Sequence, residues 1–125
     1  MERRALILFA HGARDSQWAE PFERLRDLIR SDLREVSVSL AFLEFMTPSL
    51  PESVRQLAAA GCEEITVVPV FFGKGGHVLR DLPKMTEQLK KEMPRLKLKV
   101  AGAVGESTEV LDALARYCCS TLQKP

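Results

Sequence analysis

Two histidines, His11 and His77, are the whole imidazole complement of this chain, and each follows an apolar, strand-like run. Neutral imidazole holds borderline divalent ions such as Fe(II), Co(II), Ni(II) or Zn(II) and still releases them. Its pKa, ordinarily about 6.5, also lets it take a proton near neutrality. Glu44 closes a third run and would add a carboxylate to the same kind of site. Nucleophilic catalysis has little to work with: no Gly-x-Ser-x-Gly elbow is present, and the His11-Gly12 pair lacks the preceding arginine of a histidine phosphatase.

Around these residues lie charges and glycines of weaker meaning. Arg14, Lys74 and Arg80 flank the two histidines and are candidate partners for substrate carboxylates, although any surface carries such charges. Gly73-Lys74-Gly75-Gly76 has neither the P-loop nor the dinucleotide-binding spacing. Its missing side chains, at Gly75 and Gly76 above all, would let a flat ligand reach the backbone. A plain strand-to-helix connection would look the same.

Whether the histidines meet depends on the elements that carry them. Ala5 to Ala10 is apolar throughout, as a strand covered on both faces must be. Ile65 to Phe72 is also largely apolar and β-branched, with Pro69 predicting a bulge or a stop. Val36 to Leu40, running on to Glu44, and Leu96 to Val100 alternate in the manner of edge strands. Helical stripes fall between them. Phe22, Leu25, Ile29 and Leu33 lie on a stretch from 17 to 34, and Ser49 with Glu52 forms a capping box opening a helix to Ala60. Leu82, Met85 and Leu89 point inward from a helix over 81–93, and Val110, Leu114 and Cys118 share one face of a last helix that Ser107 caps. This strand–helix alternation predicts an α/β, three-layer, doubly wound fold: a four-stranded parallel sheet with helices on both faces. Central strands one and three and edge strands two and four fit the order 2-1-3-4, as in flavodoxin-like folds, while other orders with one and three inside satisfy the same polarity. Ligands of such sheets sit beyond the carboxyl ends of the strands, where the order reverses. That point lies between strands one and three, so His11, His77 and Glu44 are expected on one rim.

At 125 residues the chain suits a single domain over 1–125. Eighteen basic residues against 17 acidic ones leave a net charge of +1, which gives no general attraction to nucleic acid or an anionic membrane, so neither partner is expected. Apolar runs are too short to span a bilayer, and residues 1–10 lack a signal peptide's pattern. Cys62, Cys118 and Cys119 contain no Cys-x-x-Cys pair, so neither a disulfide framework nor a cysteine zinc site is expected. A reducing cytoplasm is, and Cys118 and Cys119 have no assignable role.

Three blocks in order carry a family resemblance: Leu6 to Asp15 with its Ala-His-Gly-Ala-Arg segment, Ala41-Phe42-Leu43-Glu44 with Thr47-Pro48-Ser49-Leu50, and Val67 to Pro83. Together they resemble the small CbiX-type sirohydrochlorin chelatases of the class II chelatase superfamily, over nearly the whole chain. The resemblance implies a chelatase-like fold and a lyase that inserts cobalt, or second iron, into sirohydrochlorin for cobalamin or sirohaem biosynthesis. It implies that His11 and His77 bind the metal and act in catalysis with Glu44 in the same cleft. It also implies a homodimer, no organic cofactor, and a divalent metal that is itself a substrate. Ala13 departs from the serine common in the family, which removes one hydroxyl near the site. Two other readings stand beside it: a non-catalytic carrier of metal or tetrapyrrole, which uses the same residues, and a flavodoxin-like interaction module with incidental histidines, which binds no metal at the sheet edge.

Overall fold

The apolar run at the start of the chain becomes the central strand β1 (Arg4–Ala10) of a four-stranded parallel sheet. The structure, a computed structural model, describes residues 3–73 and 78–123. On one side β1 pairs with β2 (Ser37–Phe42), setting Leu6 beside Val38 and Leu8 beside Leu40. On the other it pairs with β3 (Glu64–Pro69), which pairs in turn with β4 (Lys97–Val100). The order is β2-β1-β3-β4, in agreement with the polarity of the strands. Strand β3 stops at Pro69, which has no N–H to continue a ladder, so Phe71 and Phe72 leave the sheet.

Helices cover both faces. On one side lie α2 (Leu50–Ala59) and α3 (Val78–Glu92), which bury Leu50, Val54, Leu82 and Leu89 against Ile7, Phe9, Ile65 and Val67. On the other, α1 (Glu20–Asp32) packs Phe22, Leu25 and Ile29 against Leu8, Ala10 and Leu40. The capping box forms as expected: Glu52 N donates to Ser49 Oγ, and Ser49 N donates to Glu52 Oε1, both at 3.3 Å. Arg55 of α2 grips Glu92 of α3 with two hydrogen bonds of 2.8 and 3.0 Å, which holds the Glu92 carboxyl below its ordinary range. Across the sheet edge, Lys99 Nζ meets Glu64 Oε1 at 2.9 Å and lowers that carboxyl too.

Three boundaries and one face differ from the sequence expectation. Residues 16–19 form a 3-10 turn rather than the start of the helix. The Asp15 side chain accepts from Gln17 N at 2.9 Å and tightens the turn, and Pro21 then opens α1. Helix α1 also ends before Leu33, which is exposed. Helix α3 begins at Val78 rather than Asp81, placing Pro83 inside it at the cost of one backbone bond. The last helix, α4 (Thr108–Gln123), has the expected start, with Val110 N donating to Ser107 Oγ at 3.4 Å. Its apolar face does not pack inward, however: α4 buries none of its residues, and Leu114 and Cys118 are exposed.

Candidate metal-handling site at the carboxyl rim

Beyond the last paired residues of β1 and β2 the two segments stay in step. Leu43 N donates to Ala10 O at 2.9 Å, and Glu44 N donates to His11 O at 3.0 Å. Glu44 therefore stands two residues past the end of β2, alongside the residue that follows β1. Their side chains meet, with His11 Nε2 and Glu44 Oε1 2.8 Å apart. The carboxylate expected on the same rim as His11 is engaged by the imidazole. Gly12 makes the approach possible. It is buried at φ +92°, and a Cβ there would overlap the carbonyl oxygen of Glu44.

A carboxylate only accepts hydrogen bonds, so the proton between these groups sits on Nε2 and the lone pair of the ring is left on Nδ1. The edge of Phe71 bounds the imidazole, its centroid 6.4 Å away, and Phe71 is itself fixed against Phe9 at 5.8 Å. The His11 and Glu44 side chains are each 49% exposed, so a ligand can reach them from solvent. One oriented imidazole and one carboxylate are donors suited to a borderline divalent ion and to moving a proton. Among the described residues, no three His, Cys, Asp or Glu side chains converge to hold a metal.

Arg14 lies three residues past His11, with its guanidinium 4.9 Å from the centre of the Phe45 ring. Arg80 is exposed in the first turn of α3. Lys74, Gly75, Gly76 and His77 lie outside the described residues. Three neighbours of the site escape the sequence reading. Gly12 gives only the weak signal of a glycine behind a strand. Phe71 reads there as a strand residue. Phe45 is 57% exposed and holds φ at +67°, a conformation that non-glycine residues seldom adopt. An open groove of about 660 Å³ begins at Phe45 and Met46 and follows β2 past Arg26 and Arg30; His11 does not line it.

The sheet is parallel with the order 2-1-3-4, and the imidazole–carboxylate pair lies beyond the carboxyl ends of β1 and β2, on the rim where open sheets of this class hold ligands. The family model for CbiX matches residues 5–121, and the chain belongs to the CbiX family. It is 32% identical over 111 residues to the sirohydrochlorin cobaltochelatase of Sulfurisphaera tokodaii, an alignment covering 87% of this chain and 86% of that protein. Two further relatives of the same name align over 57% and 54% of their length. Among solved structures, the putative cobalamin biosynthesis CbiX protein of Marinobacter aquaeolei superposes with a TM-score of 0.83 at 30% identity, over 98% of this chain and 99% of that one. The sirohydrochlorin chelatase SirB of Bacillus subtilis subspecies spizizenii, in complex with cobalt, shares the fold. Its TM-score is 0.78 at 18% identity, over 96% of this chain and 51% of SirB, so the chain spans about half of SirB.

Proposed function

We propose that this protein is a chelatase, a lyase that inserts a divalent metal into sirohydrochlorin, cobalt first and iron second, for cobalamin or sirohaem biosynthesis. The observation that carries the reading is the 2.8 Å contact between His11 and Glu44 on the rim of the central strand. The names of the family relatives support it.

Insertion requires that water be stripped from the ion, that the ion be presented to the face of the macrocycle, and that two pyrrole N–H protons be removed. His11 and His77 share metal delivery and proton abstraction. With Nε2 committed to Glu44, His11 offers Nδ1 as ligand or base. Glu44 fixes the ring and stabilises the imidazolium formed when a proton arrives. Arg14, Lys74 and Arg80 meet the acidic periphery of the macrocycle, and Gly75 and Gly76 admit its flat body. The metal is substrate, and no organic cofactor takes part. The chain acts as one domain over 1–125, in a reducing cytoplasm, and as a homodimer. A second copy would supply the wall that the remaining length of SirB suggests.

The test is metal insertion followed through the absorption spectrum of sirohydrochlorin, with His11→Ala and His77→Ala beside the wild type. Loss of insertion in both variants is expected. Full activity in both would overturn the assignment, and tight binding of product without turnover would favour a carrier.

A further inference from the structure

Immediately after Glu44 the chain has to turn back. Glu44 N is still bound to His11 O, while Phe42 N already donates to Pro48 O at 2.9 Å. Phe45 lies inside this reversal at φ +67°, a conformation more often given to glycine than to a residue with a Cβ. The large apolar side chain gains little from burial in exchange, since Phe45 is 57% exposed. Backbone held in a sparsely populated region beside a site points to a use for the side chain that it presents.

That ring carries the Arg14 guanidinium, whose Cζ lies over it at 4.9 Å from the centroid. The contact joins the two segments that bear the imidazole and the carboxylate, because Arg14 follows His11 and Phe45 follows Glu44. The acids next to it in sequence are both engaged elsewhere. Asp15 Oδ1 accepts from Gln17 N at 2.9 Å, and Glu44 Oε1 meets His11 Nε2 at 2.8 Å. Among the described residues Arg14 has no carboxylate partner, and it is exposed. A guanidinium that meets a ring through its face keeps N–H donors at its edge, in the fork that fits a carboxylate. An uncompensated charge on an aromatic support, beside a pair suited to handling metal, is therefore open to an anionic ligand.

We propose that Phe45 is a positioning residue: its ring holds Arg14 at the lip of the His11–Glu44 site as a fixed arm for one peripheral carboxylate of the macrocycle. Ring support restricts the arginine before the ligand arrives, so less side-chain freedom is lost on binding. The ligand class, an acidic macrocycle, rests on the chelatase reading above, whereas the role of Phe45 through Arg14 goes beyond it. Since Phe45 carries no group that ligates metal or moves a proton, its effect falls on macrocycle binding and not on the chemical step.

The test is a double-mutant cycle between Phe45→Leu and Arg14→Gln, with Phe45→Tyr as the conservative rescue. Leucine keeps apolar bulk and loses the π face, and tyrosine keeps both. Two quantities are read on the full chain. One is the KM and kcat of cobalt insertion into sirohydrochlorin; the other is the Kd of uroporphyrin, an octacarboxylate porphyrin, followed by its fluorescence without metal. Phe45→Leu should raise KM and Kd together by about fivefold, the scale of an exposed cation–π contact, with kcat unchanged. Phe45→Tyr should restore both, and Phe45→Leu added to Arg14→Gln should weaken binding no further. Wild-type KM and Kd in Phe45→Leu, or a loss confined to kcat, would overturn the proposal. So would a full additional loss in the Arg14→Gln background, which would mean that the ring acts on the ligand without Arg14. The porphyrin titration needs no turnover. A wild type that binds uroporphyrin but inserts no metal would end the chelatase reading, while the Kd cycle still decides the role of Phe45.

Discussion

His11 and Glu44 lie 33 positions apart in sequence and 2.8 Å apart at Nε2 and Oε1, joined by side chain and backbone alike. The backbone bond from Glu44 N to His11 O aligns the two residues, and the side-chain bond then selects which ring nitrogen is free. Replacing Glu44 by Gln keeps the shape but removes the charge and the fixed acceptor. Losses on deleting the hydrogen-bond partner of a metal-handling histidine run to about 10–100-fold. A drop of that order in metal insertion by Glu44→Gln, with thermal unfolding unchanged, is the expected result. Wild-type rates in this variant would remove Glu44 from the chemistry.

Gly12→Ala should fail for a steric reason. The added Cβ meets the Glu44 carbonyl, and φ of +92° is unfavourable for alanine. Strain of this kind costs of order 1–3 kcal/mol. Urea denaturation should show the loss, and the His11–Glu44 contact should loosen with it. Stability equal to wild type would mean that the segments can separate freely.

Much of this arrangement is legible in the sequence, and the illegible part has a common cause. Polarity separates central strands from edges: the apolar Ala5–Ala10 belongs inside the sheet and the alternating Leu96–Val100 at its edge. The rim position of His11 and Glu44 follows from the order 2-1-3-4. The close approach at Gly12, the left-handed Phe45 and the edge of Phe71 on His11 arise from contacts between distant segments, which no local pattern encodes. The 3-10 turn at Ser16 turns on one Asp15 hydrogen bond. For α4 the stripe of Val110, Leu114 and Cys118 is read from the sequence but its exposure is not, because amphipathicity marks an apolar face without saying what lies against it.

Acid should weaken the fold through two carboxylates. Glu92 is lowered chiefly by its hydrogen bonds from Arg55, and Glu64 chiefly by its hydrogen bond from Lys99. A carboxyl depressed in the folded state adds stability above its unfolded pKa, ordinarily about 4.3 for Glu, and loses it as pH falls through the folded value. The unfolding temperature should therefore hold from neutrality to about pH 5 and then drop below about pH 4. Glu92→Gln should be less stable at pH 7 and show a shallower acid decline. An identical acid limb in this variant would exclude the pair as a contributor.

The capping box at the start of α2 directly follows the loop that carries Glu44. Ser49→Ala removes the acceptor for Glu52 N and should cost about 1 kcal/mol in chemical denaturation. Ser49→Asp should restore most of it. No loss in Ser49→Ala would show that the helix start is held from elsewhere.

Crystals grown with cobalt, with the ion located by anomalous scattering at its absorption edge, bear most directly on the central claim. The signal is expected beside the His11 imidazole, within reach of Glu44 and with His77 as a further ligand. An ordered cobalt ion away from His11, with the His11–Glu44 contact undisturbed, would contradict it.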